Sequence, residues 1–195
     1  MKKQSWKPGN MLYPVPAALI SSRDNEGNDN VLTVAWTGTI CSDPAMVSIS
    51  VRKERHSYKM IKESGVFVIN LTTKKLVRAT DYCGVRSGKD EDKFAAANLT
   101  KGEAEKINAP IIMESPVNIE CRVKQVLELG SHDMFIAEVV NVQVSEEYID
   151  EKGAFHLEDT ELIAYSHGEY YNLGTKLGSF GYSVKKPPKT KVRNA

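Results

Sequence analysis

Three basic side chains and a hydroxyl lie close together in the sequence: Arg52, Lys53 and Arg55 lead into Ser57 at the predicted start of a helix. A helix N-terminus offers unpaired N–H groups and a positive dipole end, and nearby cations add charge-assisted hydrogen bonds. These residues predict a site for one phosphate monoester. Spacing alone favours a simpler interpretation, in which Ser57 only caps its helix and the basic residues form a solvated face.

A second group of residues, upstream of the first, fits the edge of a flat ligand. Trp36 is followed by a patch of small residues, Thr37, Gly38 and Thr39, where backbone amides could approach a ligand closely. Trp36 could serve as a platform beside such a ligand or as an ordinary core residue. From the residues alone, the core position is favoured.

These residues must be positioned by strands, because period-two alternation of apolar and polar residues dominates the chain. Residues 117–123 and 135–144 flank a break at Gly130 and Ser131, which predicts an antiparallel hairpin. A turn centred on Ser42-Asp43-Pro44 joins two of the remaining strands. Those remaining predicted strands are short and rich in β-branched residues, and they lie at 17–21, 31–36, 46–52, 66–70 and 162–166.

Helical signals are fewer. A short helix is predicted over 57–64 and ends at Gly65, and a second over 74–83 follows Thr72 and Thr73 as N-caps and stops at the next glycine. Together, the elements predict a mainly β fold: an antiparallel barrel of about six strands with two or three peripheral helices.

Composition limits the classes of function. The chain has 195 residues and a net charge of +1, with 41% hydrophobic and 26% charged residues, which is typical of one globular domain. We expect that domain over 1–184 and a basic tail over 185–195 that is extended or disordered. With three widely spaced cysteines and no apolar run of about 20 residues, we expect a cytoplasmic protein with no metal site and no contact with membrane.

An ordered set of motifs extends over residues 10 to 182: Asn30, Thr33 and Trp36; Ser42-Asp43-Pro44; Ser48-Ile49-Ser50-Val51; Arg55-His56-Ser57; Ser87-Gly88; Asp92-Lys93-Phe94; Ser131-His132-Asp133-Met134-Phe135; Tyr165-Ser166-His167-Gly168; and Tyr170-Tyr171-Asn172-Leu173-Gly174. This set resembles the flavin reductase-like family, and the flavoredoxins in particular. It implies an FMN-binding antiparallel split β-barrel, of Greek-key type with a few peripheral helices, that forms a homodimer with flavin near the subunit interface.

The resemblance also assigns roles to residues. Asn30 and Trp36, with the patch from Thr37 to Thr39, would lie beside the isoalloxazine ring. The stretch from Ser50 to Ser57 would hold the phosphate through Ser50, Val51, Arg52, Arg55 and Ser57, and Ser87 belongs to the same cofactor site. Family members often carry threonine at the position of Ser57.

Three further residues complete the implied site. Lys93 would supply a cation either to the phosphate or to the N1/C2 carbonyl edge of the flavin. His132 and Tyr165 would lie near the ring and the approaching reductant, as catalytic residues. A lysine or a protonated histidine near N1 would stabilise the reduced flavin. Family members often have an aromatic residue without a hydroxyl at the position of Tyr165.

The implied function is an FMN-dependent oxidoreductase. NAD(P)H or a reduced protein donor would pass electrons through FMN to a small-molecule or protein acceptor. No Gly-x-Gly-x-x-Gly fingerprint is present, so a nicotinamide would dock over the flavin without a Rossmann domain. An FMN-containing electron carrier without NAD(P)H activity is the first alternative, and the residues do not discriminate between NADH and NADPH.

Two alternatives are less favoured. One is a non-enzymatic barrel that binds nucleic acid through the basic tail, but the near-zero net charge argues against nucleic acid as a partner. The other is a related split barrel that binds pyridoxal phosphate or haem, since one fold hosts several chemistries. The segment from Trp36 to Asp43 suits flavin better.

Overall fold

The computed structural model describes residues 1–185, so the predicted tail lies almost entirely outside the described residues. The described part contains twelve strands and three α-helices. The strands are Val15–Pro16 (β1), Ala18–Arg23 (β2), Asp29–Val34 (β3), Thr37–Ser42 (β4), Ala45–Val51 (β5), Val66–Leu71 (β6), Lys101–Glu103 (β7), Pro110–Ile112 (β8), Val117–Glu128 (β9), Asp133–Val144 (β10), Ile163–Ser166 (β11) and Glu169–Asn172 (β12). The helices are His56–Ser64 (α1), Val77–Val85 (α2) and Lys93–Ala96 (α3).

Seven strands form the main sheet, in the order β3-β2-β6-β9-β10-β5-β4, and every neighbouring pair is antiparallel. One hydrophobic cluster collects side chains from both ends of this order, including Leu32 on β3, Phe67 on β6, Phe135 on β10 and Ile49 on β5. Because β3, at one border of the sheet, and β5, next to the other border, share this core, the sheet must curl around it. Each of these side chains, once buried, stabilises the fold by roughly 2 kcal/mol.

A second cluster covers the outer face of β2 and β3. Leu19 and Val31 on these strands pack with Cys83 from α2 and Phe94 from α3. Because β2 and β3 are buried on both faces, their sequences read as apolar runs rather than as a clean alternation. α2 and α3 are therefore fixed against β3, at one border of the sheet.

The open side of the barrel lies between β3 and β4, the two border strands. A backbone hydrogen bond from Ser50 N to Trp36 O, 2.8 Å long, joins the residues just after β3 to β5. Apart from this bond, no backbone ladder joins β3 to β5 within the described residues. The open side is the natural place for a ligand, since backbone edges and side chains from distant segments meet there.

The hairpin of β9 and β10 confirms the prediction, with Gly130 in the left-handed region at φ 91. The turn at Asp43-Pro44 also lies where the sequence places it, between β4 and β5. The prediction of about six strands was too low. It missed β4 because Gly38 interrupts the segment and its residues show no apolar–polar alternation, whereas pairing with β5 supplies the ladder.

The helix predictions need two corrections. α1 begins at His56 with Arg55 as its N-cap, so Ser57 does not cap it, while Gly65 ends it at φ 69 as predicted. The second helix begins as a 3-10 turn, Lys74–Leu76, and continues as α2 through Gly84 to Val85. Thr73 precedes that turn without a side-chain capping bond.

The Thr72 hydroxyl binds elsewhere, donating to the Ala17 carbonyl oxygen in the neighbouring strand region. That bond connects the start of the helical segment to the sheet, which explains why the residue is buried although it caps nothing. Within residues 1–185, no helix combines the length and apolar character that crossing a membrane requires.

Candidate functional site

Two adjoining cavities form a groove along the open side of the barrel. They have volumes of about 480 Å³ and about 260 Å³, and both are lined by Leu32, Arg52 and Arg55. We call the smaller one the cationic cavity. Its lining residues are Asn30, Leu32, Arg52, Glu54, Arg55, His56, Ser57, Arg86, Ser87, Gly88 and Lys93.

The larger one is the aromatic cavity. Its lining residues are Asn10, Ala17, Leu32, Thr33, Val34, Ala35, Trp36, Ser50, Val51, Arg52, Arg55, Asp81, Gly84, Val85, His132, Tyr165, Gly168 and Tyr170. Three segments line both cavities. They are residues 30–36 on and after β3, residues 50–57 from the end of β5 to the start of α1, and residues 81–88 in α2 and the loop that follows it. The two cavities therefore form one groove that extends along these three segments.

Asn30 lies at the centre of the cationic cavity. Its side-chain amide is buried and donates to Ser57 Oγ over 2.7 Å, which joins β3 to α1. On its other side, a Cβ added at Gly88 would lie 2.2 Å from Asn30 Oδ1. Since no side chain fits there, glycine lets the loop after α2 close against Asn30. Asn30 thus connects two walls of the cavity.

The first turn of α1 forms one of those walls. Arg55, His56 and Ser57 all line the cationic cavity, and no side chain caps the free N–H groups of the helix. Because the Ser57 hydroxyl is already engaged by Asn30, it is held in place rather than free to cap. An uncapped N-terminus of a nine-residue helix presents donors and a positive dipole end.

Lys93 forms the opposite wall. Its side chain is buried, and Nζ donates to the backbone oxygens of Cys83 at 3.1 Å and Arg86 at 3.3 Å, at the C-terminal end of α2. An ammonium group has three donors, so one is left for a ligand. Burial lowers the pKa of Lys93, and the Arg55 charge lowers it further. The structure places Lys93 in the cationic cavity and not in the aromatic one.

The other cations of this cavity are not equivalent. Arg52 pairs with Glu54 at 2.9 Å and Arg86 with Glu91 at 3.0 Å, and these carboxylates neutralise them in part. Arg55 and Lys93 have no acidic partner within residues 1–185. The excess positive charge therefore resides on these two side chains and on the end of α1, which suits a dianionic group.

Rings line the aromatic cavity at its far end. Tyr13, just before β1, contacts Trp36 at 6.2 Å and Tyr165 at 6.3 Å between ring centroids. Tyr165 contacts Tyr170 at 5.6 Å across the β11–β12 hairpin. These spacings are those of interacting aromatic pairs. Tyr165 reaches the cavity because β11 pairs with β1, which places Tyr165 opposite Val15.

His132 enters the aromatic cavity from the start of β10. The register of β10 on β5 pairs Asp133 with Val51, so His132 and Arg52 extend together beyond the ladder. Burial lowers the pKa of His132, and the charges of Arg52 and Arg55 lower it further. Its imidazole is therefore neutral at pH 7, with Nδ1 lying 2.9 Å from Ser131 Oγ.

A buried carboxylate behind the cavity fixes this arrangement. Asp133 has no exposed surface, and it accepts from Tyr58 Oη at 2.6 Å while Lys53 Nζ lies 3.4 Å away. The hydrogen bond from Tyr58 lowers the pKa of the Asp133 carboxyl, and Lys53 lowers it further. Lys53 and Asp133 each adjoin a lining residue, Arg52 and His132, so the pair holds those neighbours in register.

The structure distributes the sequence-predicted residues over three places. Asn30, Arg55, Ser57, Ser87 and Lys93 meet in the cationic cavity. Trp36, Val51, His132 and Tyr165 meet in the aromatic cavity, and Arg52 and Arg55 line both. Ser50 and Val51 line the aromatic cavity, whereas the resemblance implied the phosphate end, and Asn30 lines the cationic cavity, whereas the resemblance implied the ring.

The small-residue patch is not part of the groove itself. Thr37 and Gly38 line a neighbouring cavity on the other side of Trp36, and Thr39 lines none of the three cavities. The physical reason is strand β4: the patch forms its first half, and each residue is paired to β5, with Thr37 opposite Ile49 and Gly38 opposite Ser48.

Sequence reasoning missed several lining residues: Asn10, Asp81, Gly84, Val85, Arg86, Gly88 and Tyr170. Helical spacing could have identified some of them, since Asp81, Gly84 and Val85 are at i, i+3 and i+4 of one helix face. Gly84 lets that face approach β3, because a Cβ there would lie 3.3 Å from Thr33 Cβ. Asn10 and Tyr170 gave no comparable signal.

Comparison with known proteins places this groove in context. The flavin reductase like domain matches residues 10–174, most of the chain. The chain belongs to the flavin reductase-like family. The family is one of FMN-binding oxidoreductases, and flavoredoxins are among the solved structures that resemble this chain.

Two solved flavoredoxins superpose on this flavin reductase-like chain over nearly its whole length. The flavoredoxin of Desulfovibrio vulgaris (Miyazaki F) is 32% identical, with a TM-score of 0.87 over 94% of this chain and 100% of the other. Flavoredoxin from Methanosarcina acetivorans is 26% identical, with a TM-score of 0.84 over 94% and 100%. The predicted mainly β, antiparallel split barrel is thereby confirmed.

A curated relative carries a named activity. FMN reductase (NADH) RutF of Agrobacterium fabrum is 26% identical over 108 residues, which are 55% of this chain and 59% of that protein. This flavin reductase-like chain therefore shares sequence with proteins named flavoredoxin and with one named FMN reductase (NADH).

Proposed function

We propose that FMN binds along the groove, with its phosphate in the cationic cavity and its ring in the aromatic cavity. The observation that carries the proposal is the polarity of one continuous groove, with Arg55, Lys93 and the α1 N-terminus at one end and Trp36 and Tyr165 at the other. The cavity volumes lie near the range for small-molecule sites. A flavin mononucleotide requires a flat apolar slot for its ring and a cationic pocket for its phosphate.

At the phosphate end, the chain's own residues bind and orient. Arg55 and the free donor of Lys93 supply charge-assisted hydrogen bonds, and the first N–H groups of α1 supply neutral ones. Asn30 holds Ser57 and the loop at Gly88, so the pocket is formed before the ligand arrives. Preorganisation of this kind lowers the entropy cost of binding.

At the ring end, bound FMN would supply the electron-transfer chemistry. Arg52 and Arg55 are the cations that reach this end, because Lys93 is confined to the other cavity and the lowered pKa of His132 leaves its imidazole neutral. A cation beside the pyrimidine edge favours the reduced flavin. Neutral His132 would exchange a hydrogen bond with the ring edge or with an approaching reductant.

The activity we propose is that of a flavin reductase- or flavoredoxin-type oxidoreductase. Electrons from NAD(P)H or from a reduced protein donor pass through FMN to an acceptor. Similarity to flavoredoxins supports a protein donor, and similarity to an FMN reductase (NADH) supports a nicotinamide. A carrier without NAD(P)H activity fits the same groove, and the experiment below distinguishes the two.

The test is a visible spectrum of the purified full-length protein, before and after anaerobic addition of NADH or NADPH. We expect blue and near-ultraviolet flavin bands that bleach on addition of the nicotinamide. If the bands persist with either nucleotide and bleach only with dithionite, the protein is an electron carrier without NAD(P)H activity. Lys93→Ala and Trp36→Ala are expected to lose FMN on gel filtration, whereas Lys89→Ala, an exposed lysine in the same loop, keeps it. If both site variants retain FMN like the parent, the assignment is wrong.

We also propose a homodimer, supported by the segment 173–184. Five large apolar side chains are exposed there: Leu173, Leu177, Phe180, Tyr182 and Val184. A concentration of exposed apolar residues marks a surface that a partner covers. Light scattering of the full chain should give the mass of two chains, and Leu177→Asp with Phe180→Asp should give one. A monomeric parent would contradict the proposal.

A further inference from the structure

We propose that a third cavity, beside the aromatic one, binds an uncharged, flat compound with a carbonyl oxygen, such as a quinone. This apolar cavity has a volume of about 630 Å³. It is lined by Gly9, Asn10, Met11, Leu12, Val15, Ala35, Trp36, Thr37, Gly38, Ser48, Ser50 and Met134. It shares Asn10, Ala35, Trp36 and Ser50 with the aromatic cavity, so Trp36 stands between the two.

The apolar cavity has no charged side chain in its lining. None of the twelve residues that line the apolar cavity is ionisable, whereas the cationic cavity has Arg52, Arg55, Arg86 and Lys93 in its lining. A charged ligand that gives up water here would find no counter-charge, and that desolvation is unfavourable. A nicotinamide dinucleotide, with its two phosphates, is therefore a poor occupant. The ligand class is uncharged.

Apolar side chains form most of the walls of this cavity. Four large side chains, Met11, Leu12, Trp36 and Met134, form the walls together with residues of β4 and β5. An indole ring offers a flat face for stacking, and methionine side chains adapt to irregular apolar ligands. The volume falls within the range of cavities that enclose small molecules. A flat, mostly apolar ring system fits these walls.

Two serine hydroxyls supply polar groups to the apolar cavity. Ser48 and Ser50, two residues apart on one face of β5, both line the cavity, and neither hydroxyl is bonded within residues 1–185. The Thr37 hydroxyl, by contrast, donates to the Ser48 carbonyl oxygen over 2.8 Å. Two free hydroxyl donors on one wall match a ligand that accepts hydrogen bonds, and a carbonyl oxygen is such an acceptor. A few placed polar groups in an apolar cavity fix ligand orientation.

The test uses duroquinone, an uncharged and fully substituted quinone, with the full-length protein in equilibrium dialysis. We expect saturable binding that Met134→Glu weakens by about tenfold or more, since the new carboxylate occupies the cavity and loses its water on ligand binding. Ile40→Glu is the matched control: Ile40 is 48% exposed on β4, outside the three cavities, and its variant should bind like the parent. Anthraquinone-2-sulfonate should bind at least about tenfold more weakly than duroquinone.

Leu12→Glu keeps the test decisive if the Met134 variant does not fold. Leu12 is 87% exposed, so this change leaves the core intact while it charges the opposite wall. We expect it to weaken duroquinone binding as well. Absence of saturable binding, or equal binding by Leu12→Glu and Ile40→Glu, overturns the proposal. A dimer that Leu12→Glu dissociates also overturns it, because a second copy of the chain would then fill the cavity. FMN retention, measured separately, reports on the proposed function and not on this site.

Discussion

The two ends of the groove are built by different forces. In the cationic cavity, directional bonds of 2.7 to 3.3 Å hold Asn30, Ser57 and Lys93, and Gly88 closes against Asn30. At the aromatic cavity, ring-centroid spacings of 5.6 to 6.3 Å connect the lining residues Trp36, Tyr165 and Tyr170, in part through Tyr13, which does not itself line the cavity. Hydrogen bonds define a position within tenths of an ångström, whereas ring contacts tolerate a range of offsets.

In the proposed binding mode, recognition and reactivity are therefore separable. The cationic cavity would bind one anionic group and would contribute affinity and fix the position of the ligand. The aromatic cavity collects residues from β3, β5, α2, β11 and β12, and it can adjust around a ring. Comparison of FMN with riboflavin, which lacks the phosphate, isolates the two contributions. Substitutions at the cationic end should change the ratio of the two affinities, and those at the aromatic end should leave it unchanged.

The largest effect is expected for Lys93→Ala. The variant loses a charge-assisted hydrogen bond to phosphate, which contributes about 1.5 to 3 kcal/mol, so FMN affinity should fall by about 10- to 100-fold. Riboflavin affinity should change little. Fluorescence titration of the flavin-free protein with each ligand measures both. Lys89→Ala is the control in the same loop. Equal losses for FMN and riboflavin would show that Lys93 acts through the fold and not through the phosphate.

A somewhat smaller effect is expected for Gly88→Ala. The added Cβ would overlap Asn30 Oδ1, 2.2 Å away, so either the loop or the Asn30 amide must move. Overpacking of this kind costs about 1 to 3 kcal/mol, and we expect FMN affinity to fall by about tenfold with the FMN-to-riboflavin ratio reduced. Gly174→Ala, where a Cβ would meet nothing within 4 Å, is the control. Unchanged FMN binding by Gly88→Ala would mean that the loop does not need its close approach.

The same contrast explains how much of the site the sequence predicts. In the cationic cavity, local spacing identifies Arg52, Arg55 and Ser57 on one compact stretch, whereas Asn30, Ser87 and Lys93 came from the family resemblance. The aromatic cavity depends on pairings between distant segments, such as Val15 with Tyr165, which no local pattern encodes. Asn10 and Tyr170 were missed for that reason. Without the family resemblance, His132 and Tyr165 would also have remained ordinary residues.

The fold divides along a similar line. The hairpin of β9 and β10 was predicted because alternation and a glycine turn are both local signals. Strand β4 was missed because Gly38 interrupts it and its residues show no apolar–polar alternation, and it forms through its ladder with β5. The predicted N-cap roles of Ser57 and Thr72 failed because tertiary partners, Asn30 and Ala17, compete for those hydroxyls. Local chemistry is thus overridden where a buried partner is available.

At the aromatic end, Trp36→Leu should reduce FMN and riboflavin affinity by the same factor. Leucine keeps an apolar wall but loses the flat ring, which contributes about 0.5 to 1.5 kcal/mol beyond buried area, so we expect a reduction of about 2- to 10-fold. Trp6→Leu is the matched control, because Trp6 is 76% exposed and lies outside the groove. A changed FMN-to-riboflavin ratio for Trp36→Leu would show that the two ends are coupled and contradict their separation.

The smallest effect is expected in the pH dependence of stability, where two histidines should act in opposite directions. Burial and the charges of Arg52 and Arg55 lower the pKa of His132 below 6.5, so the unfolded state binds a proton more readily. The stability associated with neutral His132 is therefore present above pH 6.5 and declines as the pH falls below that value. Asp150 raises the pKa of His156, so its contribution is present below pH 6.5 and is lost as the pH rises through the raised pKa.

Imidazole resonances in NMR titrations should report the two pKa values directly, His132 below 6.5 and His156 above it. Urea unfolding at pH 7.5 and pH 5.5 supplies the energetic comparison. His132→Gln should lose less stability than the parent when the pH falls, and His156→Gln should lose more. The arginines that lower the pKa of His132 are the same side chains that line both cavities, so Arg52→Gln should move its pKa upward. A His132 that titrates at or above 6.5 in the parent would mean that the cations do not act on the ring end, and the proposed electrostatic link between the two cavities would fail.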